Sequence, residues 1–550
     1  MSSAQPVRPA RRRFRAIFLV PILIFLALAS WAVSSPLGTS PDDDFHLASS
    51  YCGLGERAGL CADVPGQPIQ RAVPAAIVKI TCGRGGGTYT QCRIAGESSE
   101  AAPVATKRWN YAGAYPPIYY TVTGVFASED VGRSAMVMRA FNVLLFAGLG
   151  TLLFWLLPRI RRTTMLWMWS ATVVPLGMFL IASNNPSSWA ILSGGTLWLA
   201  LLGFFETRGR RMWGLGALAA VGALMGAGAR PDSAAYVAVA AVAVTIFEFR
   251  RTREFALKCI APAVIVVLGI LFYLGSKSTA STTGLVGGHQ ASSLPPLDLI
   301  WNNIVQLPNL YAGALGTWGL GWIDTPMPAV VWVFAIGVLG AALFAGAVSF
   351  GKRKLWGVLV VGLALVAVPS WVLYQGKALV GQEVQPRYVL PLLIMFVGFM
   401  LLQTERRPLV FSRFQTISVA AALTVANAVA LHTNIRRYIS GLQVTDPNLN
   451  HYVQQWWLGP FSPMLLWAFG TVTFAGAVAI ALLYTRTPEP VAGPELPPET
   501  TGPASTSGRA PEADDLELTP ENAETAGTPG SDVPAVEPER PGQTAVPMTR

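Results

Sequence analysis

Long apolar runs separated by short basic clusters leave this chain one class of fold. The runs fall at about 14–33, 134–157, 164–182, 188–205, 213–229, 233–247, 258–275, 328–350, 355–374, 388–403, 414–432 and 463–484. About twenty apolar residues cross a bilayer as a helix, and a helix satisfies its own backbone there. The spacing therefore predicts an all-α polytopic membrane protein with about twelve transmembrane helices. Of the chain, 52% is hydrophobic and only 13% charged, which excludes a string of soluble domains. The run at 213–229 is short and Gly-rich, which suits either close packing or a break.

The basic clusters set the orientation. Arg8, Arg11, Arg12 and Arg13 lie in the basic segment 1–13, before the first run. Further clusters are Arg159, Arg161 and Arg162, then Arg208, Arg210 and Arg211, then Arg250, Arg251, Arg253 and Lys258. Lys352, Arg353 and Lys354 follow, and then Arg406, Arg407 and Arg413. Strict alternation puts every cluster on one side, and positive charge marks that side as cytoplasmic. Both termini are then cytoplasmic, and the chain is a multi-pass protein of the inner (plasma) membrane. The net charge of +10 is thus topological, and no basic, aromatic-interleaved patch is present for nucleic acid. The first run is expected to remain as a span, because it is long for a signal peptide and further spans follow. Residues 485–550 are rich in Pro, Glu, Thr and Ala, which predicts a disordered cytoplasmic tail.

The extracytoplasmic loops are larger, at 34–133, 276–327 and 433–462. The first carries Cys52, Cys61, Cys82 and Cys92. Their spacing is long for a zinc knuckle and no His lies among them, so two disulfides are expected, most simply Cys52–Cys61 and Cys82–Cys92. Trp109, Tyr115, Tyr119 and Tyr120 in the same loop could form an aromatic platform, for the interface or for a sugar. No Walker A motif, Gly-x-Ser-x-Gly elbow or His-Glu-x-x-His motif occurs, which leaves nucleotide hydrolysis and common hydrolase chemistry unsupported.

Chemistry concentrates at Pro41-Asp42-Asp43-Asp44-Phe45-His46, just beyond the first run. Adjacent carboxylates resist joint ionisation, so at least one should have a raised pKa. That makes the stretch a candidate general base or metal site, with a solvated, helix-capping acidic turn as the equal alternative. Asp42, Asp43 and His46 could hold a divalent metal, but no second His/Asp cluster completes such a site. Two arginines also stand on the outer side, against the charge trend: Arg230 in Arg230-Pro231-Asp232, and Arg387 in Gln385-Pro386-Arg387-Tyr388. A guanidinium presents a planar fork suited to phosphate. Arg230 has a neighbouring acid in Asp232, so an internal pair is its other reading.

In order and spacing, PDDDFH, YPPIYY, SNNPSSWAI, ARPD and VQPRYVLPLL resemble the bacterial membrane-protein family called domain of unknown function 2142. The resemblance covers roughly 14–430. The family is placed with the GT-C glycosyltransferases, which implies a GT-C-like fold with a large first loop. Asp42, Asp43 and His46 take the positions of its Pro-Asp-Glu-x-x-His pattern, and Gln385, Arg387 and Tyr388 those of Gln-Gly-Arg-Tyr. Ser187 stands where an Asp often follows Asn-Pro. The resemblance implies transfer of a sugar from a polyprenyl-phosphate donor to a cell-envelope glycan or lipid acceptor, with inversion. Asp42 or Asp43 would be the base and Arg387, helped by Arg230, the phosphate clamp. Gln385, Tyr388, His46, Tyr119 and Tyr120 would line the substrate. A transporter or flippase of a lipid-linked precursor is the rival reading, and a non-catalytic envelope-assembly protein a third.

Overall fold

The computed structural model describes residues 16–78, 102–276, 291–348, 350–403 and 411–486. They belong to one compact unit, Met1–Glu489. The expected basic N-terminus 1–13, the Cys82–Cys92 pairing and the tail from 487 onward lie outside the described residues.

The apolar runs become helices. α1 is Ile17–Val33. α2 (Asp43–Tyr51) and α3 (Ile118–Gly124) stand in the first loop. The bundle continues with α4 (Val131–Leu156), α5 (Arg159–Thr172), α6 (Leu176–Ile181), α7 (Ser187–Glu206), α8 (Gly209–Ala229) and α9 (Pro231–Phe247). After these come α10 (Arg253–Gly275), α11 (Pro296–Ala312), α12 (Ala329–Ala347), α13 (Lys352–Gln375), α14 (Pro386–Met400), α15 (Arg413–Ile439) and α16 (Pro463–Tyr484). Among the described residues eight of these are long and apolar enough to cross a membrane, and α1, α9 and α14 are shorter apolar helices. The run at 164–182 is not one span. It breaks at Val173–Pro175 into α5 and α6, since proline removes a helical N–H and crowds the preceding turn.

α7 forms the centre, with 94% of its apolar window buried inside the protein. Small residues let neighbours approach it. A Cβ on Gly222 of α8 would stand 3.2 Å from the Leu197 Cα, and one on Gly398 of α14 would overlap the Trp198 ring. Such close backbones replace the hydrophobic drive that helices lack in lipid. The Gly-rich run at 213–229 is thus a continuous, tightly packed helix with no break.

The large segments between the apolar runs hold more regular structure than their composition indicated. The first loop carries α2, α3 and a three-stranded antiparallel sheet of β1 (Ala62–Asp63), β2 (Arg71–Val73) and β3 (Val104–Thr106). Cys52 and Cys61 are joined by a disulfide beside this sheet. Within 276–327, Pro296–Ala312 is helical. α15 outruns its apolar segment by about two turns, at about 3.6 residues each, and carries Asn434, Arg436 and Arg437 into the third segment.

Candidate functional site

The site is built on the turn between α1 and α2. Asp42 has φ 57° and ψ 29°, a left-handed conformation that Asp tolerates better than most residues. Its side chain makes no N-cap bond to α2. The carboxylate instead takes two guanidiniums. Arg387 Nη2 donates to Oδ2 at 2.9 Å, and Arg108 Nη2 approaches Oδ1 at 3.4 Å. Arg108 also grips Asp44 with two bonds, of 2.6 and 3.0 Å. The Asn185 amide fixes the turn by donating to the Pro41 carbonyl at 2.8 Å.

Asp43 faces elsewhere. Its side chain is fully buried, accepts from the Gly38 N–H at 2.7 Å and lies 3.8 Å from Arg139 Nη2. Arg139 donates to the carbonyls of Ala32, Ser35 and Pro36. Asp43 and Arg139 therefore brace the segment that leaves α1. The two acids singled out as alternative bases belong to separate networks. Together with His46 they do not converge on a cation, and among the described residues no group of three or more His, Cys, Asp or Glu could hold a metal. With Asp42 and Asp44 both engaged by arginine, this donor set does not fit a divalent ion.

His46 shares a 2.9 Å hydrogen bond through Nδ1 with the Tyr120 hydroxyl, while Nε2 is buried with no partner among the described residues. Tyr115 packs edge-on against the imidazole. Tyr119 and Tyr120 are both buried, and Tyr119 packs edge-on against Trp189. They do not form an open platform. They are the wall behind His46, because α3 turns them inward against α2 and α7.

Arg230 makes a forked pair with Asp232, at 2.9 and 3.3 Å, and reaches Ser187 Oγ at 3.4 Å. Its guanidinium lies over the Tyr388 ring at 4.2 Å. Arg387 lies 5.0 Å from the same ring and donates to its hydroxyl. Tyr388 thus joins the two arginines, and Gln385 is the half-buried N-cap of α14 just before them. Arg387 Nε and Nη1 are buried without a partner among the described residues. An unsatisfied buried guanidinium is costly, so this corner is poised to receive an acceptor of hydrogen bonds, best an anion.

Burial opposes charge at these acids with different outcomes. At Asp42 burial pushes the pKa up, but the Arg387 guanidinium, with Arg108, more than offsets it and the carboxyl stays below its ordinary range. At Asp43 burial wins over Arg139 and the pKa rises to about 6. Burial drives His46 down to about 3, against the pull of Asp42, so the imidazole is neutral at pH 7. Burial raises Tyr115 to about 12.

Arg108, Arg139 and Asn185 were not among the residues that sequence reasoning selected. Arg139 did carry a signal, as a charge inside an apolar run. Arg108 carried none, since its partner Asp44 lies 64 residues away.

A comparison with the curated proteins returns no match. A family model described as "Predicted membrane protein (DUF2142)" matches residues 25–396.

Proposed function

The chain belongs to the DUF2142 family of predicted membrane proteins, and from that premise we propose that it is a glycosyltransferase of the extracytoplasmic membrane face. It would move a sugar from a polyprenyl-phosphate donor to a cell-envelope acceptor, with inversion. The observation that carries this reading is the Asp42–Arg387 pair, whose guanidinium keeps two buried nitrogens unpartnered.

The donor phosphate accepts from one of the two unpartnered edges of Arg387, at Nε or at Nη1, with Arg230 adjacent across Tyr388. Once the phosphate shares the guanidinium, Asp42 loses part of the partner that lowers its pKa and becomes a stronger base. The acceptor hydroxyl gives its proton to Asp42 as its oxygen bonds to the anomeric carbon. The bond from that carbon to the phosphate oxygen breaks, and its electron pair stays on the phosphate. Arg387 stabilises the growing negative charge. A single displacement inverts the anomeric centre. Asp43 takes no part in the proton transfer, because it is turned into the Arg139 brace.

The test is transfer from a panel of polyprenyl-phosphate sugars by the purified full-length protein, with envelope glycans of cells lacking the protein compared by mass spectrometry. Product formation that disappears in Asp42→Asn supports the reading. Uptake or flipping of the lipid-linked sugar without any new glycosidic bond would replace it with the transporter reading.

A further inference from the structure

At the opposite end of the bundle from Asp42, four helices part around an apolar crevice of about 360 Å³. It lies between the first half of α1, the second half of α4, the second half of α5 and the end of α16. Pro21, Ile24, Gly150, Met165, Val173 and Val478 are among its walls. Its two hydroxyl side chains are Thr151 and Ser170, and Thr151 donates back to the Ala147 carbonyl at 2.5 Å. Nothing in the lining calls for a polar ligand.

The length of the crevice selects its occupant. The lining runs from Ile17 to Ile24 on α1 and from Phe146 to Trp155 on α4. At about 1.5 Å per residue that is roughly 10–14 Å of helix. One leaflet contributes about half of the ~30 Å hydrocarbon core. A single acyl chain of one leaflet fits that depth, whereas a long prenyl chain exceeds it. At the rim, Phe18 and Trp155 bring their rings within 5.0 Å, and both are exposed. Two guanidiniums gather on Trp155. Arg162 lies 5.7 Å from its ring and donates to its carbonyl, and the exposed Arg211 donates to the same carbonyl at 3.3 Å. A positive rim above an apolar slot complements an anionic headgroup on an acyl chain.

We propose that this crevice binds one acyl chain of an anionic phospholipid, with the headgroup at the exposed Arg211 and the buried Arg162 adding its charge beneath it. The site is separate from the Asp42 pair and does not depend on the reading of that pair as catalytic.

Gly150 supplies the test. A Cβ there would meet only the Met165 methyl, at 3.8 Å, so a larger side chain projects into the crevice. Gly148 on the same helix has nothing within 4 Å and serves as the control. Ala147 shares the Gly150 face at i, i+3 and gives a second way to fill the space. Delipidated full-length protein in detergent is titrated with phosphatidylglycerol and with phosphatidylcholine by native mass spectrometry. Thermal unfolding confirms that each variant is folded, and Ala147→Leu decides the matter if Gly150→Leu is not. The expected result is phosphatidylglycerol binding that weakens tenfold or more in Gly150→Leu and Ala147→Leu, but not in Gly148→Leu. Arg211→Gln should narrow the preference over phosphatidylcholine about fivefold. Unchanged binding in both filled variants, or equal binding of the two lipids by the unmodified protein, overturns the proposal. So does exclusion by Gly150→Leu of a polyprenyl phosphate in place of phosphatidylglycerol.

Discussion

Arg387 Nη2 holds Asp42 Oδ2 at 2.9 Å, joining positions 345 residues apart in a buried ion pair. The pair ties the turn that opens α2 to the start of α14. Whatever binds at this corner must deal with both charges together.

Asp42 and Asp43 should separate activity from stability. Asp42→Asn keeps the side-chain shape but removes the countercharge of Arg387, and transfer should fall at least a hundredfold even in the fraction that stays folded. Asp43→Asn removes the countercharge of a buried arginine that keeps three carbonyl partners. That should cost about 1–3 kcal/mol of stability, with residual activity in the folded fraction. Thermal unfolding in detergent, run beside a transfer assay, distinguishes the two. Equal loss of activity at equal stability would remove the division of labour.

Arg387→Lys tests the fork. Lysine keeps the charge but cannot reach Asp42 and a phosphate with separate coplanar donors. Affinity for a polyprenyl phosphate, measured by calorimetry, should fall about tenfold or more, equivalent to about 1.4 kcal/mol. Arg387→Ala should fall further. An unchanged affinity in Arg387→Lys would leave only a charge requirement.

Acid should act through two opposed groups. His46 is lowered to about 3 from an unfolded value near 6.5, so the folded state resists its protonation and stability is lost as pH falls through that window. Asp43 is raised to about 6 from 3.8, so its contribution is present at low pH and is lost as pH rises through 6. Between about pH 6 and 4 the two slopes oppose each other. Tm of the unmodified protein should change little there. His46→Gln should gain stability on acidification, and Asp43→Asn should lose it more steeply than the parent. A His46→Gln profile parallel to the parent's would contradict this balance.

The Cys52–Cys61 link closes a short loop, with a sequence separation of 9. Such loops contribute about 2–3 kcal/mol by restricting the unfolded chain. Cys52→Ser with Cys61→Ser should lower the Tm of the first loop, read by proteolysis near Arg57, while the spans keep their helicity by circular dichroism.

The bundle was legible because lipid imposes one rule on every span, and that rule is written as local composition. Arg230 and Asp232 were legible for the same reason, as they sit two positions apart. The break within 164–182 was signalled by Pro175, but hydropathy averages over a single residue and hides it. The roles of Asp42 and Asp43 were not legible. Adjacent, chemically identical side chains differ only through the backbone angle of Asp42 and through partners at positions 139 and 387. Tyr119 and Tyr120 misled because aromatic content does not say which face a short helix turns inward.

The left-handed turn at Asp42 fixes what kind of motion the site permits. One peptide bond separates a carboxylate that faces Arg387 from one locked against Gly38 and Arg139. Any swing of the backbone that carried Asp42 toward a ligand would pull Asp43 off its brace. The corner therefore cannot behave as a hinge. Asp42 must travel by rotation about its own side-chain bonds, over a reach of one carboxymethyl group, and ligands must be delivered to it within that radius.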